Sequence, residues 1–147
     1  MKHVFIVANW KSNPDSPADA VSLARATERA LTRSWRIRVL VAPPFPFIES
    51  VARVLKKTHL AAQDVFWDKG PYTGEVSPHQ LKSLGVRYVI IGHSERRMYG
   101  GDTDDRIQKK LASALARGIS PILCVGERER SGKDIPAIVG DQIRKAI

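Results

Sequence analysis

The sequence predicts an α/β protein built on a parallel sheet, and three observations carry that prediction. Five short runs are apolar almost throughout rather than alternating: residues 4–8, 37–42, 59–63, 87–92 and 121–126. That is the pattern of strands covered on both faces. Between them lie segments with apolar residues at helical spacing, so strand and helix alternate through short connections, as in right-handed βα units. Finally, residues of chemical interest follow several different runs at their C-terminal ends, which favours a closed (β/α) barrel over a doubly wound open sheet.

The elements follow in order. The first run, VFIVA, leads into ANWKSN and not into a glycine-rich phosphate turn, which argues against a dinucleotide site. Ser16, Pro17 and Asp19 supply an N-cap, a proline at the first helical position and an acid in the first turn. Ala20, Leu23, Ala24, Thr27 and Leu31 then repeat on one helical face. After IRVLVA and the proline-rich exit APPFPF, residues Phe47, Val51, Val54 and Leu55 make a second helical stripe. HLAAQ is the weakest strand; the long connection 64–77 after it contains Gly70, Pro71 and Gly74, and loops of that length inside compact domains usually have a function. Ser77, Pro78 and Gln80 form a capping-box signal for a short third helix that Gly85 ends. A fourth stripe, Ile107, Leu111, Ala114 and Leu115, stops at Gly118, and Ile135, Ile138, Val139 and Ile143 begin a fifth.

With 147 residues and 43% hydrophobic content, the chain can bury a core as one domain. Its formal charge of +9 favours an anionic small ligand, while no basic block resembles a nucleic-acid tail. Cys124 is the single cysteine, which excludes an internal disulfide and fits a reducing compartment. No apolar run approaches the ~20 residues of a membrane helix, and Met1-Lys2-His3 runs straight into a strand, so the expected location is the cytoplasm.

Asn9 and Lys11 follow the first strand: the lysine offers a cation to a phosphate or oxyanion and the amide orients it, unless both belong to a solvated loop. His93 follows Gly92 and the fourth strand, where an imidazole can donate to a carbonyl oxygen or move a proton, and Glu95 can bind Lys11 or act as acid or base. The alternative is a helix-entry histidine with Ser94 as cap. Arg96 and Arg97 suit structural ion pairs, Cys124 suits a buried small hydrophobe inside its strand, and Glu127 suits a partner for an arginine such as Arg96. No His, Cys, Asp and Glu spacing fits a metal site.

ANWKSN, AAQD, GPYTGEVSP, IGHSERR and ILCVGE occur in the order, and at about the separations, of the triosephosphate isomerase family, which the chain resembles along its whole length. The resemblance implies a (β/α)8 TIM barrel, usually dimeric, that interconverts dihydroxyacetone phosphate and glyceraldehyde 3-phosphate through an enediolate without cofactor or metal. It implies that Asn9 and Lys11 bind substrate, that His93 is the electrophile and that Glu95 is the carboxylate beside Lys11. Ser94 and Cys124 are implied to be structural, as the residues themselves suggest for Arg96 and Glu127, and Tyr72, Thr73, Gly74 and Glu75 to insert into a partner subunit. The partners implied are a small phosphorylated triose and a second copy or a complementing C-terminal segment, with no nucleic acid and no membrane.

Asp64 stands where the family pattern has asparagine, Pro71 where it has alanine, Gly100 where it has an aromatic residue and Asp102 where it has glutamate; the loop after Glu127 is short. A complete barrel takes about 250 residues, so 147 residues match five of eight βα units, a single incomplete TIM-barrel domain ending in helix five. The family's glutamate base, closing lid and backbone phosphate cradle have no matching residues. The lone chain is therefore expected to show at most trace isomerisation and to self-associate, hold an open or rearranged sheet, or be marginally stable. A non-catalytic scaffold is the alternative, and another phosphate-handling barrel enzyme a weaker one.

Overall fold

A computed structural model describes residues 4–32, 34–127 and 137–147. Its strands are β1 (Val4–Asn9), β2 (Ile37–Ala42), β3 (His59–Ala62), β4 (Tyr88–Ile91) and β5 (Ser120–Leu123). Its helices are α1 (Pro17–Ala30), α2 (Ile48–Ala52), α3 (Pro78–Ser83), α4 (Ser94–Tyr99), α5 (Asp104–Ala116) and α6 (Ala137–Ala146). The sheet runs β1-β2-β3-β4-β5 with every pair parallel, curled as part of a TIM barrel with the helices outside. Val4 pairs with Ile37, but β3 starts opposite Leu40 and β4 starts opposite Ala61. The offsets at β2–β3 and β3–β4 are the kind of shear that tilts strands around a barrel axis, while β5 starts level with β4.

The strands lack alternation because both faces are covered. Outward-facing Val41, Leu60, Ala62, Val89 and Ile91 meet the helices through Ala20, Val51, Leu81, Ile107 and others. Inward-facing Leu40, Ala42, Ala61 and Ile90 form a second, smaller cluster with Tyr88, Ile122 and Cys124. β1 departs from this expectation: among the described residues it pairs with β2 alone, and Val4 to Val7 are 37–54% exposed.

The punctuation works locally. Ser16 Oγ accepts from the Asp19 amide at the start of α1, and Ser77 and Gln80 close the capping box of α3. Several stripe residues do not lie where periodicity puts them. Leu23 and Leu115 are exposed, because the buried faces of α1 and α5 run through Ala20–Ala24–Glu28 and Ile107–Lys110–Leu111–Ala114. Each of these faces buries a polar residue that an apolar count passes over. On α6, Ile138 and Ile143 are exposed while Gln142 is buried, its amide nitrogen donating to the Gly126 carbonyl and its oxygen accepting from the Gly126 amide. The second stripe also shortens: a 3-10 turn, Phe45–Phe47, precedes the five residues of α2, and Ile48 joins Val51 in the core. Ile135 and the loop after Glu127 lie outside the described residues.

Candidate active site at the C-terminal strand ends

The C-terminal ends of β1, β3 and β4 bring Asn9, Lys11, Gln63, His93 and Glu95 together. Lys11 adopts a left-handed backbone, φ 54°. Two side chains hold that turn: Asn9 Oδ1 accepts from the Lys11 amide at 3.0 Å, and Gln63 Nε2 donates to the Lys11 carbonyl at 2.7 Å and to the Ala42 carbonyl at 2.9 Å. The Lys11 ammonium lies 2.6 Å from Glu95 Oε1. Lys11's hydrogen bond, with the smaller effects of its charge and of His93, holds the Glu95 carboxyl below the usual glutamate range although desolvation opposes it. Glu95 is therefore a hydrogen-bonded anion here and a poor proton acceptor.

His93 enters from Gly92, whose φ of 75° is left-handed and whose absent side chain matters. A Cβ there would stand 3.1 Å from the Cys124 carbonyl oxygen and 3.2 Å from Ile107 Cδ1. His93 itself caps α4, a correction to the alternative that gave this role to Ser94: Nδ1 accepts from the Glu95 amide at 3.2 Å. Nδ1 also lies 3.6 Å from Glu95 Oε2, a contact that would be an ion pair only with a protonated ring. An Nδ1 that accepts this bond leaves Nε2 as the ring's remaining donor position. Ser94 is exposed and opens α4.

Arg97 anchors the same turn, Nε donating to the Gly92 carbonyl at 3.0 Å and Nη1 to Asp104 at 2.7 Å. His93, Arg97, Cys124, Glu127 and Gln142 share a pocket between the ends of β4 and β5. Cys124 sits just past β5 and not inside it, though its amide still donates to the Ile91 carbonyl at 2.8 Å. Burial pushes its thiol up, away from the thiolate a nucleophile needs. The Nε of Arg96 contacts Asp64 Oδ2 at 2.8 Å. Tyr72, Thr73, Gly74 and Glu75 are exposed in the loop after β3, with the Tyr72 ring 4.6 Å from that of Phe66. No cluster of three or more His, Cys, Asp or Glu residues suited to a metal occurs among the described residues, and no described helix is long and apolar enough to cross a membrane.

Comparison with known proteins decides the lineage of this arrangement. The family model described as triosephosphate isomerase matches residues 4–147. The chain belongs to the triosephosphate isomerase family. It is 42% identical over 153 residues to the triosephosphate isomerase of Thermoanaerobacter pseudethanolicus, 43% over 153 to that of Caldanaerobacter subterraneus and 42% over 154 to that of Moorella thermoacetica. Each match covers 100% of this chain and 60% of the relative, so the chain spans about three fifths of the length of the curated relatives it matches.

Gln63, Gly92 and Arg97 are the supporting residues that sequence reasoning did not single out for the site. Gln63 lies inside the AAQD motif and Arg97 inside HSERR, so the signal was present; what was missing is the carbonyl each side chain reaches.

Proposed function

We propose that these residues form the electrophilic half of a triosephosphate isomerase active site, interconverting dihydroxyacetone phosphate and glyceraldehyde 3-phosphate through an enediolate. The observation that supports it is the Lys11–Glu95 pair, 2.6 Å apart, beside a His93 whose Nδ1 is occupied as an acceptor. Lys11 supplies positive charge to the phosphate and to the enediolate oxygen, Asn9 holds the turn that presents it, and the neutral His93 donates from Nε2 to the substrate carbonyl. A neutral histidine working against a carboxylate base is the established chemistry of the family. Glu95 serves Lys11 in this scheme. The glutamate base and the amides that grip the phosphate belong to residues outside this sequence, so the 147-residue chain alone has at most trace turnover. The reaction needs no cofactor, and the setting is cytoplasmic glycolysis and gluconeogenesis.

The test is an isomerase assay on the chain alone and with the C-terminal two fifths of the Thermoanaerobacter pseudethanolicus relative added. Activity should emerge only in the mixture, and His93→Gln should lower it by roughly 10²-fold, the scale for removing one preorganised donor to a developing oxyanion. Robust turnover by the chain alone, or a mixture indifferent to His93→Gln, would refute the assignment. The exposed β1 edge supports a second reading, a self-assembling scaffold without turnover, for which the chain would form larger species and the mixture would stay inactive.

A further inference from the structure

Helix α4 carries Glu95, yet it buries none of its six residues, so packing does not fix where it stands. Polar anchors must do so. Arg97 is one; the other begins in the interior, at a lysine that is 2% exposed. The Lys110 ammonium lies 2.8 and 2.9 Å from the two oxygens of Asp64 and 2.7 and 2.9 Å from those of Asp102. Asp64 and Asp102 are each 6% exposed as residues. Asp64 also faces Arg96 at 2.8 Å, a contact of charge without hydrogen-bond alignment. The Arg96 carbonyl accepts from the Gly100 amide at 3.0 Å and from the Asp102 amide at 3.1 Å.

We propose that Asp64 and Lys110 are positioning residues for the Lys11–Glu95 pair: Lys110 fixes the two buried carboxylates, Asp64 fixes Arg96, and Arg96 sets where α4 presents Glu95. Gly100 belongs to the same device. A Cβ there would stand 2.7 Å from Arg96 Cζ and 2.9 Å from its Nε, so only a bare residue leaves the guanidinium its place over the turn. The proposal rests on the isomerase assignment only in treating the pair as part of an active site. The geometry of the pair is measurable without turnover.

The experiment follows the Glu95 carboxyl by carbon-detected magnetic resonance through an acid titration of the chain, in wild type, Asp64→Asn, Gly100→Ala and Glu28→Gln. Wild type should titrate below an ordinary glutamate because Lys11 is bound to it. If Asp64 works through Arg96, both Asp64→Asn and Gly100→Ala shift the midpoint upward, toward an unpaired glutamate, as α4 drifts and Lys11 loses its partner. Simple electrostatics predicts the opposite for Asp64→Asn, since removing a negative charge can only favour ionisation of Glu95. Glu28→Gln controls for the loss of a buried carboxylate remote from α4 and should leave the midpoint unchanged. Should Asp64→Asn fail to fold, Gly100→Ala carries the test, because it deletes no charge and Gly100 has an ordinary helical backbone. A midpoint that is unchanged or lowered in Gly100→Ala, or in folded Asp64→Asn, overturns the proposal. If wild type shows the low midpoint and both shifts occur while the completed barrel never turns over, the isomerase assignment fails and the positioning role stands.

Discussion

Replacing Lys110 by methionine should be among the most damaging single changes to this chain, and to damage it in a pH-dependent way. The methionine stem is unbranched like that of lysine, so little volume is lost and the effect is one of charge. Without the ammonium, Asp64 and Asp102 remain buried with only the partly exposed Arg96 to balance them. Removing one partner from a buried ion pair costs about 3–5 kcal/mol. For a chain of this length each kcal/mol moves the melting temperature by about 2–4 °C, so a fall of roughly 6–20 °C is expected at neutral pH. Burial already pushes the Asp64 carboxyl up against the pull of Lys110 and Arg96, and deleting Lys110 raises it further. A carboxyl whose folded value lies above its unfolded value binds more protons in the native state, so its penalty shrinks as pH falls. The stability deficit of Lys110→Met should therefore narrow between pH 7 and pH 5. Urea denaturation of both proteins at the two pH values measures it. A deficit below about 1 kcal/mol, less than even the partial loss of a buried charge would cause, or one equal at both pH values, would refute the reasoning.

Glu28 supports the opposite pH behaviour: burial alone would raise its carboxyl, but the Thr58 hydroxyl and the amides of Thr58 and Lys57 outweigh that and leave it lowered. Its contribution is complete above the unfolded value of about 4.3 and disappears as pH falls through the folded value. A Glu28→Gln variant should thus be less stable than wild type at pH 6 and converge with it in acid, as read by thermal melts; parallel curves would count against it. Gly92→Ala should cost at least about 1–2 kcal/mol for the left-handed backbone, with more for moving away from the Cys124 carbonyl. An unchanged melting temperature would show that the turn relaxes freely. Thr73→Arg, in the exposed loop after β3, should shift the protein to a smaller species in light scattering if that loop enters a partner subunit. A mass identical to wild type would remove the loop from the interface.

The sequence by itself determined the alternation of strands and helices, because both signals are local. A run such as YVII has no polar face to present to water, and Ser77 with Gln80 closes a capping box within one turn. Motif order was enough to place Asn9, Lys11, His93 and Glu95 at strand ends, since parallel strands send all their C-terminal ends to one rim. Periodicity also found Ala20, Ala24, Ile107, Leu111 and Ala114, which are buried, but tertiary structure decided the remaining members of each buried face. Apolar periodicity selected Leu23, Leu115, Ile138 and Ile143, whereas the folded chain buries Glu28, Lys110 and Gln142, whose polar ends find partners 29, 46 and 16 residues away in sequence. A buried charge is tolerable only when its partners arrive with it, and periodicity along one helix contains no information about partners on another element. The same holds for Asp64, Gly100 and Asp102, three scattered departures from the family pattern that the fold gathers around Lys110 and Arg96.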